Sequence, residues 1–292
     1  MCWACEWGSE GFHNVTEQRR IDVGTVELTI AEAGAGGHPI MLVHGWTGAK
    51  EDFADWMEPL AERHFHVVAP DNRGHGSSSK PSAESDYSFE IFASDVLALA
   101  DALNWDRFVL LGHSMGGMVA QAVALRAPQR LRGLILMDTH HGAIDVEQSI
   151  VDAGIDMART NGIDAIADMM ALATEPGPLD SEAYQRVCAE RPGHFQSGID
   201  KTRNSSAAMF AAMLAEMSSA SSRLEPLSAL DVPTMVLVGE QDEPFVHASE
   251  QLAATIPGAR YELLADGGHS PQFEAPEAWW KAMTTFLDGL AL

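Results

Sequence analysis

Basic residues are scarce in this chain. Lys and Arg number 18 against 42 Asp and Glu, a formal net charge of −24 at pH 7, and lysine stands only at positions 50, 80, 201 and 281. Nucleic acids and anionic membranes are held by clustered positive charge, so neither is expected as a partner. Cysteine is scarce as well, and three residues make no disulfide framework. Cys2 and Cys5 form a C-x-x-C, but no second pair follows to complete a zinc site, and a redox motif belongs at a strand end that opens a helix. Cys188 falls in a helical pattern and reads as an inert, buried side chain. No apolar run approaches the roughly 18 residues that span a bilayer. Residues 1–11 have neither a basic start nor an apolar segment, so no secretory signal is expected, and the cytoplasm is the expected location. Internal repeats and low-complexity tracts are also missing.

Apolar material is plentiful. With 292 residues, 46% of them hydrophobic and 21% charged, the chain can bury a sizeable core. Strand-like and helical patterns alternate along most of it. Residues 21–23 and 26–32 suggest a hairpin around Gly24; 40–43 and 66–69 read as buried strands. Residues 89–103 carry apolar side chains at helical spacing behind Ser88, a plausible N-cap. A strand at 107–111, a helix from Met115 to near Pro128 and a strand at 133–137 follow. From 140 to about 222 only helical patterns appear, at 144–160, 162–173, 181–190 and 205–218; strands return at 234–238 and 260–264, with helices near 246–255 and 276–290. Such alternation predicts an α/β fold with a mostly parallel, doubly wound sheet and an inserted helical cap. The expected division is a flexible tail over 1–18, a core over 19–139 and 223–292, and a cap over 140–222. Such a cap would sit over the carboxyl ends of the strands, where ligands enter.

Gly112-His113-Ser114-Met115-Gly116 lies between the strand at 107–111 and the helix that follows. A serine on so tight a strand-to-helix turn is pushed out at the top of the sheet, and glycines two before and two after let the turn close. The helix N-terminus beside it favours developing negative charge. A serine hydroxyl needs a base, and the base needs an orienting acid. Asp242 stands in the turn after the strand at 234–238, and His269 in the loop after the next strand, in the order Ser…Asp…His. Asp138, at the end of the preceding strand, and nearby Glu240 are the competing carboxylates. His44 and His113 flank the site and could either line it or hold loops. Asp71 and Arg73 read as residues that fix a turn.

In these motifs the chain resembles the α/β-hydrolase superfamily, from about residue 20 to the C-terminus. His44-Gly45-Trp46 resembles the family's first oxyanion loop, Asp71 to Ser77 the turn after its fourth strand, Gly112 to Gly117 its nucleophile elbow, Gly239 to Asp242 its acid loop and Gly268-His269 its histidine loop. The resemblance implies a carboxylesterase-like serine hydrolase without cofactor or metal, with catalytic Ser114, Asp242 and His269. The backbone N–H groups of Trp46 and Met115 would form the oxyanion hole. Met118, His140, Met209 and Met213 join His44 and His113 as candidate substrate-lining residues, although methionines in the insert also suit plain packing between helices. His140 and His141 open the insert, either at the pocket entrance or as an exposed loop pair. Arg159, Arg186, Arg191 and Lys201 are possible partners for a substrate carboxylate. The expected substrate is a small, largely apolar ester, and the expected state a monomer or homodimer. A serine in place of the aspartate that relatives use for epoxide opening or halide displacement argues against those reactions. Lactone, amide and perhydrolase chemistry, and carbon–carbon cleavage of ring-cleavage diketones, stay open. A small-molecule receptor on the same fold is the non-enzymatic alternative, distinguished by binding without turnover.

Overall fold

The structure, a computed structural model, describes residues 17–292. The Cys2 and Cys5 pair lies outside the described residues. β1 (Glu17–Asp22) and β2 (Glu27–Ala33) pair antiparallel, so the first strand begins inside the stretch expected to be a tail. Next come β3 (His38–Val43), α1 (Ala54–Glu62), β4 (Phe65–Pro70), α2 (Phe89–Ala102), β5 (Phe108–His113), α3 (Met115–Arg126) and β6 (Leu131–Met137). Five helices follow with no strand among them: α4 (Gln148–Asn161), α5 (Ile163–Leu172), α6 (Glu182–Glu190), α7 (His194–Arg203) and α8 (Ala207–Ser219). The short α9 (Leu224–Leu227), then β7 (Thr234–Gly239), α10 (Glu243–Thr255), β8 (Arg260–Leu264), α11 (Pro271–Glu274) and α12 (Pro276–Asp288) complete the order.

The eight strands form one sheet in the order β1-β2-β4-β3-β5-β6-β7-β8. β2 runs antiparallel to β4, and every pairing from β4 through β8 is parallel. Its central strands are apolar on both faces because helices cover both. Along β3, Met41 and Val43 join the core beneath α2, α3 and α10, whereas Ile40 and Leu42 join the core beneath α1 and α12. β5 alternates in the same way, with Leu110 on one side and Val109 and Leu111 on the other. The expected N-cap of α2 is present, with Ser88 Oγ accepting the Ile91 N–H at 3.2 Å.

The helices between β6 and β7 have a small core of their own. Val151, Ile155 and Ala158 of α4 and Ile166 of α5 pack with Phe210, Ala211 and Leu214 of α8. The other stripe of α8 carries Met209, Met213 and Met217 at four-residue spacing and joins the core beneath the sheet. One helix thus binds the insert to the body. His141 and Arg223 close the base of the insert, the Arg223 N–H donating to the His141 carbonyl at 2.8 Å. Among the described residues, no helix is long and apolar enough to cross a membrane.

Candidate active site

Ser114 joins β5 to α3 with φ 53° and ψ −119°, a conformation an L-residue holds only when its surroundings fix it. Those surroundings are visible. The Ser114 N–H donates to Met137 O at 2.9 Å, and its carbonyl accepts from Thr139 Oγ1 at 2.6 Å. A Cβ on Gly112 would lie 2.2 Å from Gly116 O, and one on Gly116 would lie 2.3 Å from Val43 O. Both obstacles are backbone, so the two glycines are obligatory for the turn.

His269 Nδ1 and Asp242 Oδ2 are 2.9 Å apart, and Asp242 is buried. With Nδ1–H donating to the carboxylate, neutral His269 keeps a free acceptor at Nε2. Burial by itself would lower the imidazole pKa. The charge and hydrogen bond of Asp242, with a further contribution from Glu274, outweigh that burial and raise it above the ordinary histidine value. Of the competing carboxylates, Glu240 is exposed, and Asp138 spends Oδ1 on the Gly239 N–H at 2.9 Å. Among the described residues, Asp242 is the one carboxylate that bonds the imidazole. Among the described residues no hydrogen bond joins Ser114 Oγ to His269, a contact that in such sites tightens when substrate binds.

The loop that carries His269 is held from three sides. His113 Nε2–H donates to the His269 carbonyl at 2.7 Å, and Glu274 Oε2 accepts the flanking N–H groups of Gly268 and Ser270 at 2.6 and 3.1 Å. The rings of Phe245 and His113 lie 4.8 and 5.0 Å from the imidazole. Glu274 escaped the sequence reading, because nothing in Ser270-Pro271-Gln272-Phe273-Glu274 marks a carboxylate that folds back on its own loop.

The 44–46 loop lies against Ser114, since a Cβ on Gly45 would come within 3.0 Å of the Ser114 Cβ. Neither the Trp46 nor the Met115 backbone N–H is engaged among the described residues, so both donors are available beside the serine. The His44 side chain pins this loop. Its Nε2 accepts the Asn72 N–H at 3.0 Å and its Nδ1–H donates to Gly45 O at 2.8 Å. Burial lowers the His44 pKa, and burial together with the neighbouring His269 pushes His113 down to about 4, so both act as uncharged braces. Of the two roles expected for them, these bonds are those of loop-holding residues. Asp71 and Arg73 do fix their turn: Asp71 takes the Lys50 N–H, Lys50 Nζ and Ser77 N–H, and Arg73 grips Asp95 in a buried two-point pair at 2.5 and 2.6 Å.

Other expected lining residues are also accounted for. Met118, Met209 and Met213 are buried side chains of the core that Trp46 packs against. Instead of forming an exposed pair, His140 and His141 are half-buried, stacked at 4.7 Å and hydrogen-bonded, His141 to Ser222 and Gln251. The four basic residues considered as carboxylate partners bind protein acceptors: Arg159 binds Glu84, Arg186 the Asp266 and Glu274 carbonyls, Arg191 Asp55, and Lys201 Asp52. Cys188 is half-buried. The Trp46 ring lies tilted against Phe210 with centroids 4.3 Å apart, and its buried Nε1–H has no partner among the described residues.

The profile of the alpha/beta hydrolase fold family matches residues 38–276. The 2-hydroxymuconate semialdehyde hydrolase of a Pseudomonas species is 28% identical over 292 residues, covering 92% of this chain and 93% of its own. The enol-lactonase of Burkholderia xenovorans superposes with a TM-score of 0.79 at 26% identity, covering 92% of this chain and all of its own. A thermophilic esterase from Thermogutta terrifontis superposes with a TM-score of 0.78 at 29% identity, over 93% of this chain and 98% of its own. Elbow, sheet order and match together place the chain: it belongs to the alpha/beta hydrolase fold family.

Proposed function

We propose that this α/β hydrolase is a serine esterase that cleaves a carboxylic ester of a small, largely apolar substrate through an acyl-enzyme. Ser114 Oγ attacks the carbonyl carbon while His269 Nε2 takes its proton. Asp242 holds the imidazole with Nδ1–H inward and stabilises the imidazolium that forms. The carbonyl oxygen becomes an oxyanion and accepts from the Trp46 and Met115 N–H groups. His269 then returns the proton to the leaving alkoxide, and a water activated at the same Nε2 releases the acid and regenerates Ser114. Residues 140–222 act as a cap in this reading, with Phe210 and Trp46 on the apolar acyl side and the Met118, Met209 and Met213 cluster behind them. The observation that carries the reading is the Asp242–His269 hydrogen bond on the strand ends beside the strained Ser114 turn.

Lactone hydrolysis is the second reading, favoured by the full-length likeness to the enol-lactonase. A lactone is a cyclic ester, so the same steps apply and the leaving alkoxide stays tethered to the acyl group. Rates on matched pairs, a linear ester against the lactone of the same acyl chain, distinguish the two. Higher kcat/KM on the linear member supports the esterase; a preference for the lactone replaces it with the second reading. No turnover of either, with saturable binding, would favour the receptor alternative.

A further inference from the structure

Behind His269 lie two carboxyl groups, each with one oxygen used and one idle. Asp242 spends Oδ2 on the imidazole and Asp138 spends Oδ1 on the Gly239 N–H, while Asp242 Oδ1 and Asp138 Oδ2 are buried without a partner among the described residues. Asp138 is fully buried and Asp242 is 2% exposed. Backbone bonds fix their approach. The Asp138 N–H donates to Leu237 O at 3.0 Å and the Asp242 N–H to Gly239 O at 3.1 Å, which draws the β6 end toward the β7 turn. Asp138 holds φ 46°, outside the ordinary range of an L-residue.

Two idle carboxylate oxygens side by side away from water are costly, and two adjacent charges more so; a single shared proton removes both penalties. We infer that Asp138 is a positioning residue that stays protonated at neutral pH and donates its Oδ2–H to Asp242 Oδ1, so that a carboxyl–carboxylate pair orients His269. The inference rests on the reading of Asp242 and His269 as the acid and base of the site. The proton belongs on Asp138 because Asp242 already faces a donor, whereas the charges near Asp138 are negative: Asp242 and Glu274. Tyr261 on β8 also senses its charge. Burial, followed by the charge of Asp242, raises the Asp138 pKa well above the usual carboxylate value, and the Gly239 N–H bond only partly opposes the rise. The arrangement fixes the second oxygen of Asp242 and keeps the charge beside His269 at one.

Infrared difference spectra of protein with carbon-13 aspartate test this directly and need no substrate, so failure here is distinct from failure of the esterase reading. At neutral pH the wild type should show the carbonyl stretch of a buried carboxylic acid, and Asp138→Asn should lose it. Absence of the band in the wild type, or its survival in Asp138→Asn, overturns the inference. The wild-type spectrum decides even if the variant does not fold. Asparagine keeps both contacts, accepting from Gly239 and donating to Asp242, but carries no titrating proton. Asp138→Asn should therefore gain thermal stability over the wild type progressively as pH rises above the ordinary aspartate value of about 3.9, because only the wild type must keep a proton its unfolded chain has released. A gap that does not change with pH contradicts the inference. Asp138→Ala removes the donor and should lower kcat on the order of 10–100-fold with KM little changed, the loss expected for a hydrogen bond to a charged group, and Asp138→Asn should restore most of it.

Discussion

At Ser114 the backbone geometry and the neighbouring glycines form one device. The φ of 53° is worth on the order of 1–3 kcal/mol of strain, held by bonds from Met137 and Thr139. A methyl group at position 116 would meet the Val43 carbonyl at 2.3 Å, and neither strand nor helix can yield there. Gly116→Ala should therefore lose activity and lower Tm together; a variant with wild-type Tm and turnover would show that the turn is looser than described. His269 makes a prediction of opposite character. Its imidazole pKa is raised, and the base form is the neutral one, so kcat/KM should climb with pH through an apparent pKa above about 6.5. Asp242→Asn removes the charge that raises it, so the limb should shift downward while kcat falls by up to about 10⁴. The linkage to stability runs the other way: the pair's contribution is complete below about pH 6.5 and fades as pH rises through the raised pKa.

Among the elements, α8 binds insert and body through two apolar stripes. Met213 is fully buried on the stripe that enters the sheet-side core, so Met213→Ala should cost about 2–5 kcal/mol, read as a shift in denaturant midpoint. A shift under about 1 kcal/mol would mean that the stripe is loosely packed. Elements with strong periodicity were legible in the sequence. β3, β5 and β7 are short apolar runs, α2 has its stripe and serine cap, and α3 follows the elbow. α1 and α7 were not. α1 contains Pro59, which reads as a breaker, and α7 offers little apolar signal beyond Phe195 and Ile199 in His194–Arg203. In the candidate site, Ser114, Asp242 and His269 were legible because each follows a readable strand. The loop-holding role of His44 and His113 was one of two readings open to them, and the role of Glu274 was not legible, because it depends on which loops meet, and loop contacts leave no period in a sequence.

For the whole molecule, the acidic excess is the dominant electrostatic fact. A net charge of −24 repels itself, and this repulsion weakens as the screening length falls from about 30 Å at 0.01 M salt to about 8 Å at 0.15 M. Tm should therefore rise over that range of sodium chloride; a fall would mean that the exposed ion pairs outweigh the repulsion. The buried Arg73–Asp95 pair is shielded from this screening, and Arg73→Ala should cost about 3–5 kcal/mol at either salt concentration because it strands a buried carboxylate. The three candidate residues stand at the carboxyl ends of the strands, Ser114 after β5, Asp242 after β7 and His269 after β8. The most direct measurement of what they do is turnover of a p-nitrophenyl ester series of rising acyl length by the wild type and by Ser114→Ala. Rapid release with an optimum at one acyl length, reduced on the order of 10⁶-fold in the variant, is the predicted result. Release that persists at the wild-type rate in Ser114→Ala would contradict the assignment of Ser114 as the nucleophile.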